Sequence, residues 1–517
     1  MNNLLTMPVL LPILGAGLTL LLGRRPRAQR FVSVFVLFLV VVVAAVLAVQ
    51  AHTDGVQHLW VGAWPTGYGI ALVGDRLAAI MLTVASVITL AVLVYSTGQD
   101  EQELKHETPI SIFHPTFLVM CAGVSAAFLA GDLFNLFVGF EVLLFASYVL
   151  LTMGGTGPRM RAGATYVVVN LLSASLFLTA IATVYAATGT VNLAELAVRL
   201  PELDTHTQAI IQVMLLVVFG LKAAVFPMSA WLPDSYPTAP APVTAVFAGL
   251  LTKVGVYAML RTQTLLFPHR PLTELLLWVA LFTMLVGILG AIAQSELKRL
   301  LSFTLVSHIG YMVMGIALAT QTGLAGAIFY TAHHITIQAT LFLVAGLVQR
   351  VGGSNSLDKL SGLAQMSPLL AVLFIVPAMN LAGIPPMSGF IGKLGLLQAG
   401  AAEGTPLAWA VVAGGVLTSL LTLMAMAKVW NRAFWGVTPK EQRQEEAREL
   451  KLDLDPDELD DDTRPMPPVQ VGATMALVLF GLALMVFAGP LYEYTNAAAE
   501  ALRDGSYVRS VLPGALR

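Results

Sequence analysis

The sequence predicts an all-α polytopic membrane protein, and three observations lead to this fold class. First, 57% of the 517 residues are hydrophobic and 11% are charged, and the mean hydropathy is +0.79, which is typical of membrane proteins rather than of soluble enzymes. Second, apolar runs of about twenty residues, long enough to cross a bilayer as a helix, recur along the chain. Third, prolines and glycines interrupt two of these runs.

About fourteen apolar runs can be distinguished, each a candidate transmembrane helix. The first run follows Asn2 and Asn3 rather than a basic segment, so we expect it to be retained and not cleaved as a signal peptide. The predicted helices lie near 3–22, 31–50, 71–97, 112–130, 133–153, 162–187, 208–226, 241–267, 274–294, 300–319, 323–349, 368–400 (interrupted), 407–433 and 469–490.

Composition also excludes several classes of function. The net charge of -2 argues against a nucleic-acid partner. Cys121 is the only cysteine and lies in an apolar run, so neither an intrachain disulfide nor a cysteine metal cluster is expected. No glycine-rich phosphate loop follows a strand pattern, and no clustered catalytic set is evident. We therefore expect no cofactor, no metal and no enzyme active site.

Basic residues in the loops predict the orientation, because cytoplasmic loops collect lysine and arginine. The loops 51–70 and 400–406 contain neither, whereas basic residues follow helices one, five, nine and eleven. Both termini are therefore expected on the outer side of the cell membrane, and Trp60 and Trp64 fit an aromatic belt in the first outer loop. The basic residues on the inner side are Arg24, Arg25, Arg27, Arg30, Arg159, Arg161, Lys298, Arg299, Arg350 and Lys359.

The first interrupted run is FPMSAWLPDSYPTAPAPVTAVFAGLLTKVGVYAMLR, residues 226–261. Its five prolines between 227 and 242 cannot belong to one continuous helix, because each removes a backbone donor and clashes one turn back. A helix is therefore expected to end near Phe226 and a new one to begin near Ala241. Lys222 lies just before this break and Lys253 lies within the next apolar run. Broken helices flanked by ionisable groups are typical of ion transporters.

The second interrupted run is NLAGIPPMSGFIGKLGLL, residues 380–397, in which Pro385 and Pro386 break the helix and Lys393 follows. The two breaks fall in helices seven and twelve, five helices apart. Helices separated by an odd number of crossings run in opposite directions through the membrane. The two breaks therefore predict two inverted five-helix repeats, helices four to eight and nine to thirteen. This inference is geometric, because no clear repeat is visible residue by residue.

These observations predict five units along the chain. The hydrophilic segment contains the acidic run DLDPDELDDD and is expected to be a solvated cytoplasmic loop, with docking to a neighbouring protein of a complex as the alternative. The units are three N-terminal helices (1–111), a first repeat (112–267), a second repeat (274–433), the acidic loop (434–467), and helix fourteen with the tail (468–517).

Four ionisable residues lie well inside apolar runs: Glu141, Lys222, Lys253 and Lys393. Each charge costs roughly 2.5–3.5 kcal/mol at mid-membrane depth, so the four are expected to be paired, hydrated or neutralised. Any of these states couples the site to protons, because burial disfavours the charged form and an opposite charge favours it. We therefore predict a proton pathway through these residues.

Other interpretations of the lysines remain open. Glu141 and Lys222 could form a purely structural ion pair, and Lys253 and Lys393 could extend to the membrane surface. Lys222 is expected at the carboxyl end of a half-helix, where the helix dipole favours its cation. Lys393 is expected to start a half-helix, which would place it at the opposite end of a dipole and favour proton release.

Polar residues inside helices ten and eleven are further candidates. His308 lies among Ser307 and Thr304, and His333 and His334 precede Gln338 in the eleventh helix. A proton relay and simple hydrogen bonding between helices both fit this pattern. His333 and His334 point to different helix faces, so they are not expected to bind one metal ion.

Three aspartates near helix ends have structural interpretations. Asp234 is expected either to cap the helix that re-enters after the first break or to have a functional role. Asp75 and Arg76 are expected to form a pair at the membrane interface, and Asp132 is expected at the membrane surface between helices four and five.

The segment 226–261 resembles the signature of the proton-conducting antiporter-like membrane subunits, a family shared by respiratory complex I and the Mrp-type multisubunit cation/proton antiporters. The resemblance extends from about helix three to helix thirteen. The segments DLFNLFVGFEVLLFASYVLL (132–151) and GIPPMSGFIGKLGLL (383–397), with the opening MNNLLTMPVLLPILGAGLTLLLGRR, are similar to the D-type subunits of the Mrp family.

The resemblance implies a site residue by residue. Glu141 would be the acidic partner in helix five, Lys222 the lysine of the broken seventh helix, Lys253 the connecting lysine and Lys393 the terminal lysine of the twelfth. Many relatives have a lysine where this chain has Gln338. That difference implies a larger share of any pathway for the histidines His308, His333 and His334.

The resemblance also implies a function and partners. The chain would be one ion-translocating module of an Mrp-type complex with subunits A, B, C, E, F and G, exchanging cytoplasmic Na+ or another monovalent cation for external protons across the lipid bilayer. The alternatives are a proton-pumping subunit of a complex I-like quinone oxidoreductase and a non-transporting scaffold subunit.

Overall fold

The computed structural model describes residues 3–64, 69–98, 110–269, 272–437 and 465–513, which form a bundle of helices. Within these ranges, thirteen helices are long and apolar enough to cross a membrane. A fourteenth crossing is made by two shorter helices separated by the second predicted break. The fold class and the number of crossings are therefore confirmed.

Helices one to seven follow the predicted order, and short connections make successive helices antiparallel. Their bounds are Asn3–Leu21, Pro26–Thr53, Arg76–Thr97, Ile110–Leu129, Leu133–Thr152, Gly157–Thr188 and Thr205–Ala223. Helices eight to fourteen are Ala241–Leu265, Thr273–Ala293, Leu297–Leu318, Gln321–Gly352, the pair Pro368–Ala382 and Ser388–Glu403, Pro406–Phe434 and Pro468–Val486. Shorter helical segments are Val61–Ala63, Leu193–Arg199, Leu200–Glu202, Trp231–Ser235, Tyr236–Thr238, Leu363–Met366, Ala488–Ala501 and Ser506–Val511.

A β-hairpin precedes helix three, where the sequence predicts a helix from residue 71. The strands Gln57–Trp60 and Ala71–Gly74 pair antiparallel. Helix three begins only at Arg76, because the side chain of Asp75 caps it by accepting a hydrogen bond from Ala78 N at 2.9 Å. The strand Ala71–Gly74 is apolar and buried throughout, so its composition does not distinguish it from the start of a membrane helix.

The hairpin marks one end of the bundle, which we call the hairpin face. Trp60 is only 4% exposed there, whereas Trp64 is 63% exposed. The expected position of Trp60 in an aromatic belt is therefore wrong, because its strand turns the ring into the protein. Ala130, between helices four and five, forms a bridge with Leu72 of the hairpin. The connections after the even-numbered helices thus lie on the hairpin face.

Two five-helix repeats, helices four to eight and nine to thirteen, share the same main-chain pairing. In each repeat, the turn between the first and second helices forms main-chain hydrogen bonds with the segment that follows the third helix. Each residue that forms these bonds in the second repeat lies 164 positions after its counterpart in the first repeat. Counterparts lie on opposite faces, so the repeats are inverted. The bonds are Leu133 N to Val191 O and Leu193 N to Gly131 O, then Leu297 N to Asn355 O and Leu357 N to Ser295 O.

Glycines allow a close helix contact at equivalent positions of the two repeats. A Cβ on Gly123 would lie 2.5 Å from Leu143 N, and one on Gly287 would lie 2.5 Å from Ser307 N. These pairs also differ by 164 positions in the chain. The residue-level repeat, which sequence reading alone did not reveal, is therefore present at positions where packing requires it.

The chain continues as helix beyond the predicted end of helix fourteen. A second helix, Ala488–Ala501, follows directly after a kink at Phe487, where Pro490 cannot continue the previous hydrogen bonding. A short helix, Ser506–Val511, then packs on the hairpin face. The predicted acidic loop falls largely at 438–464, outside the described residues.

Candidate functional site

The first break follows helix seven on the face opposite the hairpin. The helix ends at Ala223, and Ala224 adopts left-handed backbone angles, with φ of 57°. Lys222 lies in the last turn and is 5% exposed. Its expected position at the carboxyl end of a half-helix is confirmed.

Glu141 and Lys222 are neighbours without forming a direct ion pair. Their charges interact, yet no nitrogen–oxygen contact within the 4.0 Å limit for a salt bridge joins them, although the structure describes both. Lys222 Nζ lies 5.6 Å from the centre of the Phe140 ring, and neither it nor Glu141 Oε1 has a hydrogen-bond partner in the described chain. The arrangement therefore does not fit the purely structural ion pair.

Lys253 is completely buried in helix eight, beside the end of helix seven. Gly255 allows the approach, because a Cβ there would lie 2.7 Å from Ala223 N. Lys253 Nζ donates to Ala248 O at 2.6 Å, within the π-helical turn Phe247–Leu251. At 0% exposure, Lys253 does not extend to the membrane surface.

The second break divides helix twelve, and Lys393 closes it. Gly383, with φ of 85°, ends the first half. Lys393 belongs to the second half, but its Nζ reaches back to donate to Leu381 O and Ala382 O, both at 3.0 Å. The expected position of Lys393 at the amino end of a helix dipole is therefore wrong, since its ammonium lies at the carboxyl end of the first half. It is 3% exposed and does not extend to the surface.

Asn380 joins the two halves of helix twelve. Its Oδ1 accepts hydrogen bonds from Gly389 N at 2.9 Å and from Ser388 Oγ at 3.2 Å. Ser388 Oγ also lies 3.0 Å from His333 Nδ1. Sequence analysis did not single out Asn380, although an asparagine inside a predicted apolar run is a signal that could have indicated it.

The histidines lie together between the two breaks. The rings of His308 and His334 are 5.4 Å apart, and His308 Nε2 is 3.1 Å from Thr422 Oγ1. The ring of Tyr330 lies 5.3 Å from that of His333 and 6.0 Å from that of His334. We call His308, His333, His334, Lys253 and Lys393 the basic cluster, since their charges interact.

Gln338 lies at the edge of the basic cluster and donates from Nε2 to Leu301 O at 2.7 Å. An amide cannot gain or lose a proton as a lysine does, so it can only orient neighbours. Many buried polar atoms here have no hydrogen-bond partner within the described chain, and such atoms usually bind water. They are His308 Nδ1, His333 Nε2, both ring nitrogens of His334, Gln338 Oε1, Tyr330 OH and Thr252 Oγ1.

Two expected partnerships of the aspartates are wrong. Asp75 does not pair with Arg76 but with Arg261, at 2.6 Å, in a buried ion pair. Asp234 does not cap a helix, and its carboxylate instead forms an exposed pair with Arg299 at 2.8 Å. Both partners are distant in sequence, so local spacing could not indicate them.

Asp132 caps helix five and is buried. Its carboxylate accepts from Asn135 N at 2.6 Å, and burial raises its pKa to about 6. It is 6% exposed, because the segment after helix six covers the turn. Asp132 is therefore covered by protein at the hairpin face rather than exposed at the end of the bundle. Within the described ranges, no group of three His, Cys, Asp or Glu residues could hold a metal ion.

Fold and site together define a polytopic membrane protein in which two broken helices each hold a buried lysine. The sequence profile described as NADH:quinone oxidoreductase/Mrp antiporter, TM, matches residues 130–422. The chain belongs to this family.

Individual relatives are similar over almost their whole length. The chain is 40% identical to the D subunit of a Na(+)/H(+) antiporter from Alkalihalophilus pseudofirmus, over 99% of this chain and 100% of that one. It is 37% identical to the protein of the same name from Bacillus subtilis, over 85% and 89% of the two chains. Among solved structures, a chain of the Mrp complex from Dietzia sp. DQ12-45-1b is 33% identical, with a TM-score of 0.88 over 99% of this chain and 100% of that chain.

Proposed function

We propose that this chain is the ion-translocating D-type subunit of a multisubunit antiporter that exchanges Na+ or another monovalent cation for protons. The observation that carries the proposal is the pair of broken helices with their buried lysines and the buried histidines between them. Lys222 lies in the last turn of helix seven, and the Lys393 ammonium lies at the carboxyl end of the first half of helix twelve. Burying a charge at this depth costs about 2.5–3.5 kcal/mol. Lys253 and Lys393 bond to main-chain carbonyls rather than to carboxylates, which supports mobile protons over permanent ion pairs.

Lys222 would form one end of the proton chain and the basic cluster would form the other. Glu141 stabilises the Lys222 ammonium from a distance, so a change in their separation would add or remove a proton. Lys253 adjoins the end of helix seven through Gly255 and would exchange the proton with Lys222. Water bound to the unpartnered polar atoms would connect the groups.

The histidines would take the part that a lysine in helix eleven plays in many relatives. A neutral imidazole accepts a proton on one nitrogen and releases one from the other. His308 and His334 both have a ring nitrogen without a partner in the described chain, which suits this exchange. His333 would lead to Ser388 and the second break, where Lys393 would be the terminal group.

The names of the relatives support assembly of this chain with other subunits. Their names describe one subunit of an antiporter, so this chain would be a transporter subunit rather than an enzyme and would assemble with subunits A, B, C, E, F and G. We place it in the cell membrane with the hairpin face outside. We propose the same five units for the chain, from the N-terminal helices to the tail, and the two repeats among them would have opposite orientations in the membrane.

The proposal is tested in everted vesicles that contain the whole complex and are energised to an acid interior. Sodium added outside should collapse the pH gradient, measured with a pH-sensitive dye. Lys222→Ala should abolish the response at normal expression and assembly, because the proton chain loses the group at one of its ends. Lys359→Ala removes an exposed lysine and is the matched control, which should respond as the wild type does.

Two outcomes would contradict the proposal. A normal response of Lys222→Ala would make the lysine structural and favour a scaffold role. A wild-type complex that responds to no monovalent cation and co-purifies with quinone oxidoreductase subunits would favour the complex I-like alternative.

A further inference from the structure

A cavity of about 390 Å³ opens on the hairpin face, outside the site described above. Helices eight, nine, ten and eleven and the end of the segment Ala488–Ala501 line it. Its exposed mouth carries His269, Glu500, Arg503 and Asp504, whereas its floor includes Thr264 and Gln263. The cavity therefore joins a charged rim to a buried polar floor.

The floor contains a polar group that needs a partner. Gln263 is 8% exposed, and its Oε1 accepts from Gln212 Nε2 at 2.8 Å. Its Nε2 is buried and has no hydrogen-bond partner in the described chain. A buried amide donor beside a cavity of this size is a binding position for water.

The cavity lies between the hairpin face and the basic cluster, and helices eight, ten and eleven contribute residues to both. Thr264, Ile316 and Leu324 line it, and these helices carry Lys253, His308 and His334. At 1.5 Å rise per residue, the lining residues stand about 16, 12 and 15 Å from those groups along their own helices. Thr264 is also on the same helix face as Lys253, three turns away.

An apolar layer separates the cavity from the basic cluster. One turn deeper than the lining residues are Leu260, Met312 and Ile328, which are 1%, 0% and 0% exposed. A layer one or two turns thick could be hydrated by a small helix movement, while it blocks ions in the present state.

We propose that this cavity is the aqueous entrance from the hairpin face to the basic cluster, a site for water and for the monovalent ions that the antiporter exchanges. This inference rests on the proposed function and adds the route by which ions reach the cluster. The route runs along helices eight, ten and eleven, and the apolar layer at Leu260 is its closed gate.

Thiol labelling tests the route, because Cys121 is the only cysteine of the chain and is 4% exposed. Thr264→Cys places a thiol on the floor, and Ile316→Cys does so from helix ten. Glu202→Cys places one on an exposed loop of the hairpin face, and Leu260→Cys places one in the apolar layer. Each complex is treated with a membrane-impermeant cationic methanethiosulfonate from each side in turn, and antiport is measured before and after treatment.

The route predicts that Thr264→Cys and Ile316→Cys are modified from the same side as Glu202→Cys and lose most of their antiport. Glu202→Cys should be modified without loss, and Leu260→Cys should react much more slowly than Thr264→Cys. Modification of both floor positions with no loss of antiport would overturn the inference, as would failure of both to react from either side. In either case a wild-type complex that still exchanges ions keeps the proposed function, whereas a wild type without exchange ends both proposals.

Discussion

Asp75 and Arg261 are separated by 186 positions yet form a two-pronged ion pair, with oxygen–nitrogen distances of 2.6 and 2.7 Å. Their side chains are 6% and 2% exposed. The guanidinium also lies 5.0 Å from the centre of the Tyr507 ring and donates to Tyr257 OH at 3.2 Å. The pair thereby fastens helix three, helix eight and the C-terminal segment together at the hairpin face.

Arg261→Met should destabilise the protein by about 3–5 kcal/mol, because it leaves the Asp75 carboxylate buried without its partner. The double variant Asp75→Asn/Arg261→Met should recover much of that loss, since asparagine still caps helix three but carries no charge. Thermal unfolding in detergent measures both. Equal melting temperatures for the single and the double variant would show that the unpaired charge is not the cause.

The pair should keep its strength over the whole working pH range. Burial alone would raise the pKa of Asp75, but the charge and hydrogen bonds of Arg261 hold that pKa below its ordinary value. A carboxylate with a lowered pKa stabilises the fold above its ordinary pKa, and this contribution is lost only as the pH falls through the lowered one.

Asp132 predicts the opposite dependence on pH. Because burial raises its pKa to about 6, the folded state binds a proton more readily than the unfolded state. The free energy of unfolding therefore falls as the pH rises from the ordinary aspartate pKa to about 6, and it remains at the lower value at any pH above 6. Asp132→Asn should be more stable than the wild type at pH 7.5, by about 1–3 kcal/mol, with a smaller gap at pH 5.

A matched control is Asp204→Asn, which changes the aspartate that caps helix seven. Asp204 is exposed, so its substitution should show no comparable gap at pH 7.5. Unfolding temperatures of both variants at the two pH values decide the matter. An unchanged gap for Asp132→Asn between pH 5 and pH 7.5 would contradict the raised pKa.

At this scale the sequence indicated which residues matter but not their partners. Lys222, Lys253 and Lys393 could be found because a lysine inside an apolar run is costly wherever it lies. Their contacts depend on residues far along the chain or on the shape of a break. Asp75 was assigned to its neighbour Arg76 for the same reason, since sequence spacing reports only local pairs.

Each of the two breaks has a buried lysine beside it, but the lysines come from different sides of the breaks. Helix seven ends with Lys222 in its own last turn, whereas helix twelve receives Lys393 from its second half. The sequence Pro-Met-Ser follows both helix ends, at 227–229 and 386–388. This short match is visible in the sequence and indicates the repeat. The position of the Lys393 ammonium could not be predicted, because it depends on the backbone turn at Gly383.

Gly389 is a strict requirement of the second break. A Cβ at this position would lie 2.0 Å from Asn380 O and 3.0 Å from His333 Nε2, and the first of these atoms belongs to the backbone. Gly389→Ala should therefore cost at least the roughly 1–3 kcal/mol of an overpacked core and should separate Asn380 from Gly389 N. Gly472→Ala has nothing within 4 Å and is the control.

The measurement is the melting temperature and the yield of monodisperse protein in detergent for both glycine variants. Gly389→Ala should melt lower and Gly472→Ala should melt as the wild type does. Equal melting of the two would mean that the halves of helix twelve can separate freely, and the role of Asn380 as their connection would have to be abandoned.

Across the whole molecule, the inverted repeats bring the two breaks into one bundle, and the tail contacts both repeats. The number and order of the crossings could be predicted because bilayer thickness fixes helix length. The segment after residue 487 could not be predicted as an ordered helix pair, since it is only weakly apolar and its order comes from tertiary contacts. It contacts helices two and eleven as well as Arg261.

A chain that ends at Val486 should therefore keep its crossings but lose stability. The loss removes Tyr494 OH to Ala48 O at 3.3 Å, Gln321 Nε2 to Asn496 Oδ1 at 3.2 Å and the Tyr507 ring over Arg261. At roughly 0.5–1.5 kcal/mol for each of these three contacts, unfolding should become easier by about 1.5–4.5 kcal/mol. Tyr507→Phe keeps the ring, and the lost hydroxyl has no partner in the described chain, so this control should melt as the wild type does. If the shortened chain melts at the wild-type temperature, the tail does not hold the repeats together, and the Asp75–Arg261 pair must fasten helices three and eight without it.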